Sequence, residues 1–360
     1  MKSGCSRTLC SASLLLLVHA QPLLSQTDVK SKALAQVFSV GSNSHGELGL
    51  GTYQPTTVPV ACPKGPFNAV RAFAAGYRSA ALTSEGKVYF WGSSWLHDLT
   101  VPGDGSYNSY HASAATTIDV PNPTLLSSMY SNVIAHVAAG SNHLLVSTDR
   151  GIIFAQGENR FGQLGTGDIE NRDGFEQIAD FSDSLVVDLQ TSLQNSAAVL
   201  GNGKLYMWGE NTYGQMGLDS EELGSASRGV FRVPTFIKTL EKHFIVAVSL
   251  GTQFIVVLDA HGNVFAQGRN DFGQLGLGHY DPVPSPTLVS QVPNVVAIAC
   301  GLHHTVLLNI SGDVFVTGSN SAGQLGLGDQ KQRNTFTHVQ FEPQVVCDTT
   351  DSSMLQGETA

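Results

Sequence analysis

The feature that most constrains this chain is a fifteen-residue phrase that recurs along it. Residues 264–278 read VFAQGRNDFGQLGLG, and close copies start at Val37 (VFSVGSNSHGELGLG), Ile153 (IFAQGENRFGQLGTG), Leu205 (LYMWGENTYGQMGLD) and Val314 (VFVTGSNSAGQLGLG). A sixth copy, VYFWGSSW from Val88, loses its second half. The glycines closing the apolar start are Gly41, Gly92, Gly157, Gly209, Gly268 and Gly318, at spacings of 51, 65, 52, 59 and 50 residues. Such a period belongs to stacked or radial repeat architectures.

Each part of the phrase has a physical reading. The four residues before the first glycine are mostly apolar, with β-branched and aromatic types among them, which suits a buried strand. The G-x-N-x-x-G segment demands tight backbone, which glycine adopts without a Cβ clash and which asparagine supports by bonding its own backbone two residues on. In the Gln-Leu-Gly that follows, Leu164, Leu275 and Leu325 are expected to plug inward, with the glutamine as a backbone partner. Glycines this dense at the ends of apolar runs exclude helices.

A second phrase alternates with the first, in copies that begin at Val70, Val133, Val186, Ile245 and Val295. Each has two short apolar runs around a small-residue turn and ends in a polar turn such as Ser84-Glu85-Gly86, which is hairpin chemistry. The small residues before the turn, such as Ala138-Ala139-Gly140, suit a crowded inner rim. Two phrases give about four strands per unit, the content of a propeller blade. The expected fold is all-β: a β-propeller of four-stranded blades with about five full repeats and one partial, spanning residues 37–346. Six first phrases stand against five second ones, so the ring is expected to be incomplete and to expose unpaired strand edges.

The alternation of WG-x-N-x-x-GQLG with AAG-x-x-H resembles the regulator of chromosome condensation repeat family over about residues 37–346. The resemblance implies a β-propeller, often seven-bladed, with widely varied functions. The founding member exchanges guanine nucleotide on the small GTPase Ran, other members are protein-binding domains, and a bacterial inhibitor of β-lactamase has a similar ring. Fold alone does not choose among these. The family's exchange residues find no residue-by-residue match here.

Residues 1–20 read as a secretory signal peptide: Lys2 and Arg7 precede an apolar core, and Val18-His19-Ala20 offers small residues before a cleavage point. The alternative is a tail or a buried apolar strand. Residues 21–36 read as a linker or first strand, and residues 347–360 as a polar tail. No later stretch is long enough for a membrane span. Losing Lys2 and Arg7 takes the formal charge from −10 to −12. That acidity argues against nucleic acid, whose binders need a basic footprint.

Only Cys62, Cys300 and Cys347 would survive cleavage, too few for a disulfide scaffold. Cys62 and Cys347 fall at similar places in the first and last units and are the candidates for a closing disulfide. Asn309-Ile310-Ser311 is a glycosylation sequon in a hairpin turn expected to be exposed. His143 and His304 share one place in the AAG-x-x-H phrase, with Ser79, Asn195 and Phe254 in the other units. They read as structural histidines of the inner rim.

The second unit departs most from the pattern. After Trp91-Gly92 comes a long segment bearing Trp95, His97, Asp98, Asp104, Tyr107, Tyr110 and His111. Insertions in repeat proteins map to loops on one face, often the binding face, so these seven residues are the expected partner-binding set. The alternative is that the rings fold back onto the blade. The fourth unit's insert, with Glu221, Glu222, Arg228 and Arg232, reads as a solvated loop. No catalytic constellation is legible, and no cofactor or metal is implied. The leading reading is a non-catalytic secreted or lumenal propeller that binds a protein through loops on one face. The alternatives are exchange activity on a small GTPase, which would place it in the cytoplasm, and a passive structural domain of a larger protein.

Overall fold

The computed structural model describes residues 14–17, 37–41, 43–63, 69–75, 78–94, 118–126, 132–217 and 229–340. The described residues form six antiparallel sheets in chain order. The first has three strands: β1 (Leu14–Leu17), β2 (Val37–Gly41) and β3 (Thr56–Ala61). The second is β4 (Ala69–Ala75), β5 (Arg78–Thr83), β6 (Val88–Ser94) and β7 (Ile118–Leu125). The third is β8 (Ile134–Ala139), β9 (His143–Thr148), β10 (Ile152–Gly157) and β11 (Arg172–Asp180). The fourth is β12 (Val186–Thr191), β13 (Asn195–Leu200), β14 (Leu205–Glu210) and β15 (Val230–Phe236). The fifth is β16 (Ile245–Leu250), β17 (Phe254–Asp259), β18 (Val264–Gly268) and β19 (Val283–Leu288). The sixth is β20 (Val295–Cys300), β21 (His304–Asn309), β22 (Val314–Gly318) and β23 (Arg333–His338). Five four-stranded blades and one shorter sheet match the count of phrases. The apolar core read as a signal segment pairs here with β2, Leu14 opposite Val40 and Leu17 opposite Val37.

Most hydrophobic clusters lie between blades; one, of Val316, Leu325 and Val339, lies within the sixth. One joins Leu82, Val88 and Phe90 of the second blade to Val137, Leu144 and Val146 of the third. Because both faces are covered in this way, β9, β13 and β17 are buried along their whole length and read as continuous apolar runs. The outermost strand β11 is instead mostly exposed and polar.

The repeated phrase folds as a double turn held by two side chains. Leu48, Leu164, Met216, Leu275 and Leu325 each donate their amide to the Oδ1 of the asparagine five residues earlier, at 2.8–3.0 Å. The expected asparagine bond two residues on is therefore corrected: it spans the whole double turn and closes it. The Gln or Glu accepts from the amide two residues before it in all five copies, as at Gln274 and Phe272 (2.9 Å). Its following apolar residue is buried in every copy, as expected.

The turn then becomes a fastening between blades. The carbonyl of Glu47 accepts from Ser79 Oγ and Trp91 Nε1 of the next blade, and that of Gln163 from Ser196 Oγ and Trp208 Nε1. Gln215 and Gln274 carbonyls accept from Gln267 Nε2 and Thr305 Oγ1. The glycine near the end of the third strand makes room for a different contact, with the first turn of its own blade. At Gly209, φ is 107° and a Cβ would fall 2.1 Å from the Gln194 carbonyl oxygen, so no other residue fits.

The register corrects one equivalence. Arg78, not Ser79, lies opposite Gly92, where His143, Asn195, Phe254 and His304 lie opposite their glycines. The turn before β5 is one residue shorter than those before β9, β17 and β21, which frees Ser79 for the fastening to Glu47.

Candidate functional site

Two sets of loops meet at one end of the blades. The turns between first and second strands carry Asn142, Gln194, Gln253 and His303. The connectors that leave the third strands carry Glu158, Glu210, Arg269 and Ser319, followed three residues later by Phe161, Tyr213, Phe272 and Ala322. In the third blade the two sets touch where Asn142 Nδ2 donates to Glu158 Oε2 at 2.8 Å.

From the fourth to the sixth blade the contacts become continuous. Glu210, almost fully buried, receives Gln253 Nε2 on both carboxylate oxygens at 3.0 Å, across a blade boundary. Gln253 is one of three described non-glycine residues with positive φ, at 62°. Left-handed backbone costs a side-chain-bearing residue about 1–2 kcal/mol, and here it turns the carboxamide toward the neighbouring blade. The same carboxamide oxygen meets Arg269 Nη1 at 3.4 Å, and Arg269 Nε donates to Asp271 Oδ2 at 2.7 Å.

Two aromatic rings lie close to that arginine. Its guanidinium lies 5.5 Å from the centre of Tyr213 and 5.8 Å from that of Phe272, within cation–π range. Phe272 in turn stacks on His303 of the sixth blade, ring centres 4.8 Å apart. Burial first, and then the charge of Arg269, pushes His303 below its ordinary pKa, with Asp271 opposing. Burial also lowers His304, with His303 adding to the effect. Both imidazoles are therefore held toward the neutral form, in which His303 can stack on Phe272 without carrying a charge against Arg269.

The sequence-read residues fall out as follows. Trp95, His97, Asp98, Asp104, Tyr107, Tyr110 and His111 lie outside the described residues. β6 ends at Ser94 and β7 begins at Ile118, so their connector leaves from the same end of its blade as those bearing Arg269 and Phe272. His143 is buried, with Nε2 2.9 Å from Ser196 Oγ in the next blade, a structural role as expected. Cys62 is buried and donates its thiol to the Leu48 carbonyl at 3.2 Å; Cys347 lies outside the described residues. Glu221, Glu222 and Arg228 of the other insert also lie outside them.

The expected exposure of Asn309 is corrected. Its side chain is buried, its Oδ1 accepts the amides of Ser311 (3.0 Å) and Asp313 (2.8 Å), and Nδ2 donates to Asp313. Asp259 does the same for His261 and Asn263 one blade earlier. The hairpin tip is exposed, but the sequon asparagine is the residue that holds it.

Reading the sequence missed Arg269, Tyr213, Phe272 and Gln253. The signal was present: Glu158, Glu210 and Arg269 each follow the strand glycine and precede an aromatic residue by three, but these positions were read only as turn.

A family model described as the Regulator of chromosome condensation (RCC1) repeat matches residues 35–82, 202–258 and 261–308, and a second of the same description matches 186–215 and 295–324. The chain is 30% identical over 244 residues to the ultraviolet-B receptor UVR8 of Arabidopsis thaliana, covering 68% of this chain and 51% of the receptor. It is 36% identical over 144 residues to the X-linked retinitis pigmentosa GTPase regulator of Mus musculus, covering 40% and 13%. The chain thus spans about half of the first relative and a smaller share of the second. Among solved structures, Prp20p of Saccharomyces cerevisiae is similar with a TM-score of 0.69 and 22% identity, covering 85% of this chain and 73% of that one. Human WBSCR16 is similar at 0.68 and 21%, covering 86% and 77%. At such identities the likeness is one of fold.

Proposed function

Since the chain belongs to the regulator of chromosome condensation repeat family, we propose that it is a non-catalytic β-propeller that binds another protein through the loop end bearing Arg269. The observation that carries this reading is the continuous line Glu210–Gln253–Arg269–Phe272–His303 across three blades. Tyr, Trp and Arg are the types that most often anchor interfaces, because they combine large contact area with polar tips. The line holds such residues half-buried and pre-oriented, which lowers the ordering cost of binding. The proposal also assigns Trp95, Tyr107 and Tyr110 to this surface, because β6 ends and β7 begins at that end of the second blade. Among relatives, Prp20p has binding properties toward Gsp1p and histones, and protein partners of that kind are within the family's range.

The proposed setting is the secretory route, on the strength of the charged start, the apolar core and the acidic balance. Guanine-nucleotide exchange on a small GTPase is the competing reading, supported by the family resemblance alone. The deciding experiment combines Tyr213→Ala, Arg269→Glu and Phe272→Ala in a tagged chain. Loss of co-purifying partner at an unchanged melting temperature supports the proposal. Full retention of partner overturns it, and stimulated nucleotide release from a GTPase would favour the competitor.

A further inference from the structure

The far face of the sixth blade differs from the same face of every blade before it. Val37, Val88, Ile153, Leu205 and Val264 begin the repeated phrase in their sheets and are 2% exposed or less, yet Val314 at the same place is half-buried. Ala80, Leu145, Ala197 and Val256 are fully buried in the second strand, yet Val306 is not. Glu47, Gln163, Gln215 and Gln274 are buried, whereas Gln324 is exposed, and no described residue donates to its carbonyl. A Cβ at Gly46, Gly162, Gly214 or Gly273 would fall 2.5–2.9 Å from the following blade, but Gly323 and Gly326 have nothing within 4 Å. The face therefore has the chemistry of a blade-to-blade fastening, with open glycines, a free carbonyl and an apolar strip, and no described residue covers it.

What normally covers the start of such a face is the innermost strand of the next unit. β20 packs on β16 and β17, where Cys300 N donates to Ser249 Oγ at 2.8 Å and the Cys300 thiol donates to the Ser249 carbonyl at 3.5 Å. The chain's own sequence continues into that place. Val289 and Val339 make the same bond, their amides donating to Val264 and Val314 carbonyls at 2.8 Å. Counting on from these anchors, Pro293, Val295 and Val296 before and within β20 are matched fifty residues later by Pro343, Val345 and Val346.

We propose that residues 345–350 supply one further innermost strand that docks on β20 and β21 and covers the open face of the sixth blade. The inference does not depend on the partner-binding reading. It assigns an intramolecular occupant to a surface that would otherwise act as a sticky edge. It differs from the reading of residues 347–360 as a polar tail, because in the repeat alignment Cys347 corresponds to Ala297 and Thr350 to Cys300.

The equivalence defines its own test. Ala299 and Thr350 correspond to Ser249 and Cys300, so Ala299→Cys with Thr350→Cys is made in a Cys300→Ala, Cys347→Ala background; Ala139 stands at the Cys300 place in the third blade. The proposal expects an intrachain disulfide on mild oxidation of the folded protein, abolished by Val345→Asp. It also expects truncation after Gln340 to speed amide exchange at Val306 and Leu308 about tenfold or more, as those amides join a less stable local unit. Thiols that stay free in the folded chain, with exchange unchanged by truncation, would overturn it. So would a disulfide formed only between two chains, which would make a second copy the occupant.

Discussion

The indole nitrogen of Trp208 donates to the main-chain carbonyl of Gln163, 45 residues earlier and one blade away, at 2.9 Å. Trp91 does the same for Glu47. The bond joins the side chain before a strand glycine to the turn of the preceding unit, so one repeat cannot be completed without its neighbour. Trp208 is wholly buried. Trp208→Ala should cost about 3–5 kcal/mol, from the lost burial and cavity. Trp208→Phe should cost about 1–2 kcal/mol more than its volume change, the range for an unmade buried hydrogen bond. Ser196 still serves the Gln163 carbonyl, which keeps the second figure at the low end. Urea unfolding of the two variants checks both.

Asn270 holds its double turn from both sides, accepting from Leu275 and donating to the carbonyls of His279 and Asp281. It is fully buried. Asn270→Ala should lower stability by about 2–3 kcal/mol because buried partners are left unpaired. Asn270→Asp removes the donor and places a carboxylate against two carbonyls, so it should be no better tolerated. The melting temperatures of the two variants test this.

His303 and His304 titrate below their ordinary value near 6.5 in the folded chain. As pH falls from about 6.5 toward those lowered values, the unfolded chain binds protons that the folded chain refuses, so stability falls with pH in that window. Above it the effect vanishes. Asp259, held low by its hydrogen bonds against burial, acts only at lower pH still, where stability is lost as that carboxylate protonates. Melting temperature should therefore decline between pH 7 and 5, and His304→Phe, the residue found at that place in β17, should flatten the decline.

Asn309 and Asp259 do one job in successive blades. Asn309→Asp should keep the melting temperature, whereas Asn309→Gln, one methylene too long for the turn, should lower it. Asn309→Asp is thus the variant with which to read glycan occupancy, by mobility in a glycosylating host. An Asn309→Gln protein as stable as the parent would contradict this account of the turn.

The fold was legible because its strongest signals are local and repeated. A buried strand ending in a glycine that tolerates no Cβ, then an asparagine and a glutamine that saturate one double turn, leaves little freedom at any copy. The face of Arg269 was less legible because its side chains meet across blades: Glu210 and Gln253 are 43 residues apart and bond only after two units pack. Asn309 was misread as exposed for a related reason. A polar residue in a turn can point to solvent or back into the turn, and only the three-dimensional partners, Ser311 and Asp313, decide. The leucines of residues 14–17 carry two legible readings at once, a signal core and a strand. Cleavage near Ala20 would remove β1 and leave β2 as a sheet edge, so the mass of the isolated chain reports which fate they meet.

Binding through the loop end is tested most directly by placing a photo-reactive benzophenone residue at Phe272 and, separately, at Ile310. Ile310 is highly exposed but lies in a hairpin turn at the opposite end of its blade. On irradiation in the producing cells, the account predicts a discrete higher-mass adduct from position 272, lost when Arg269→Glu is added, and none from position 310. Adducts of equal yield from both positions, or from 310 alone, would contradict it.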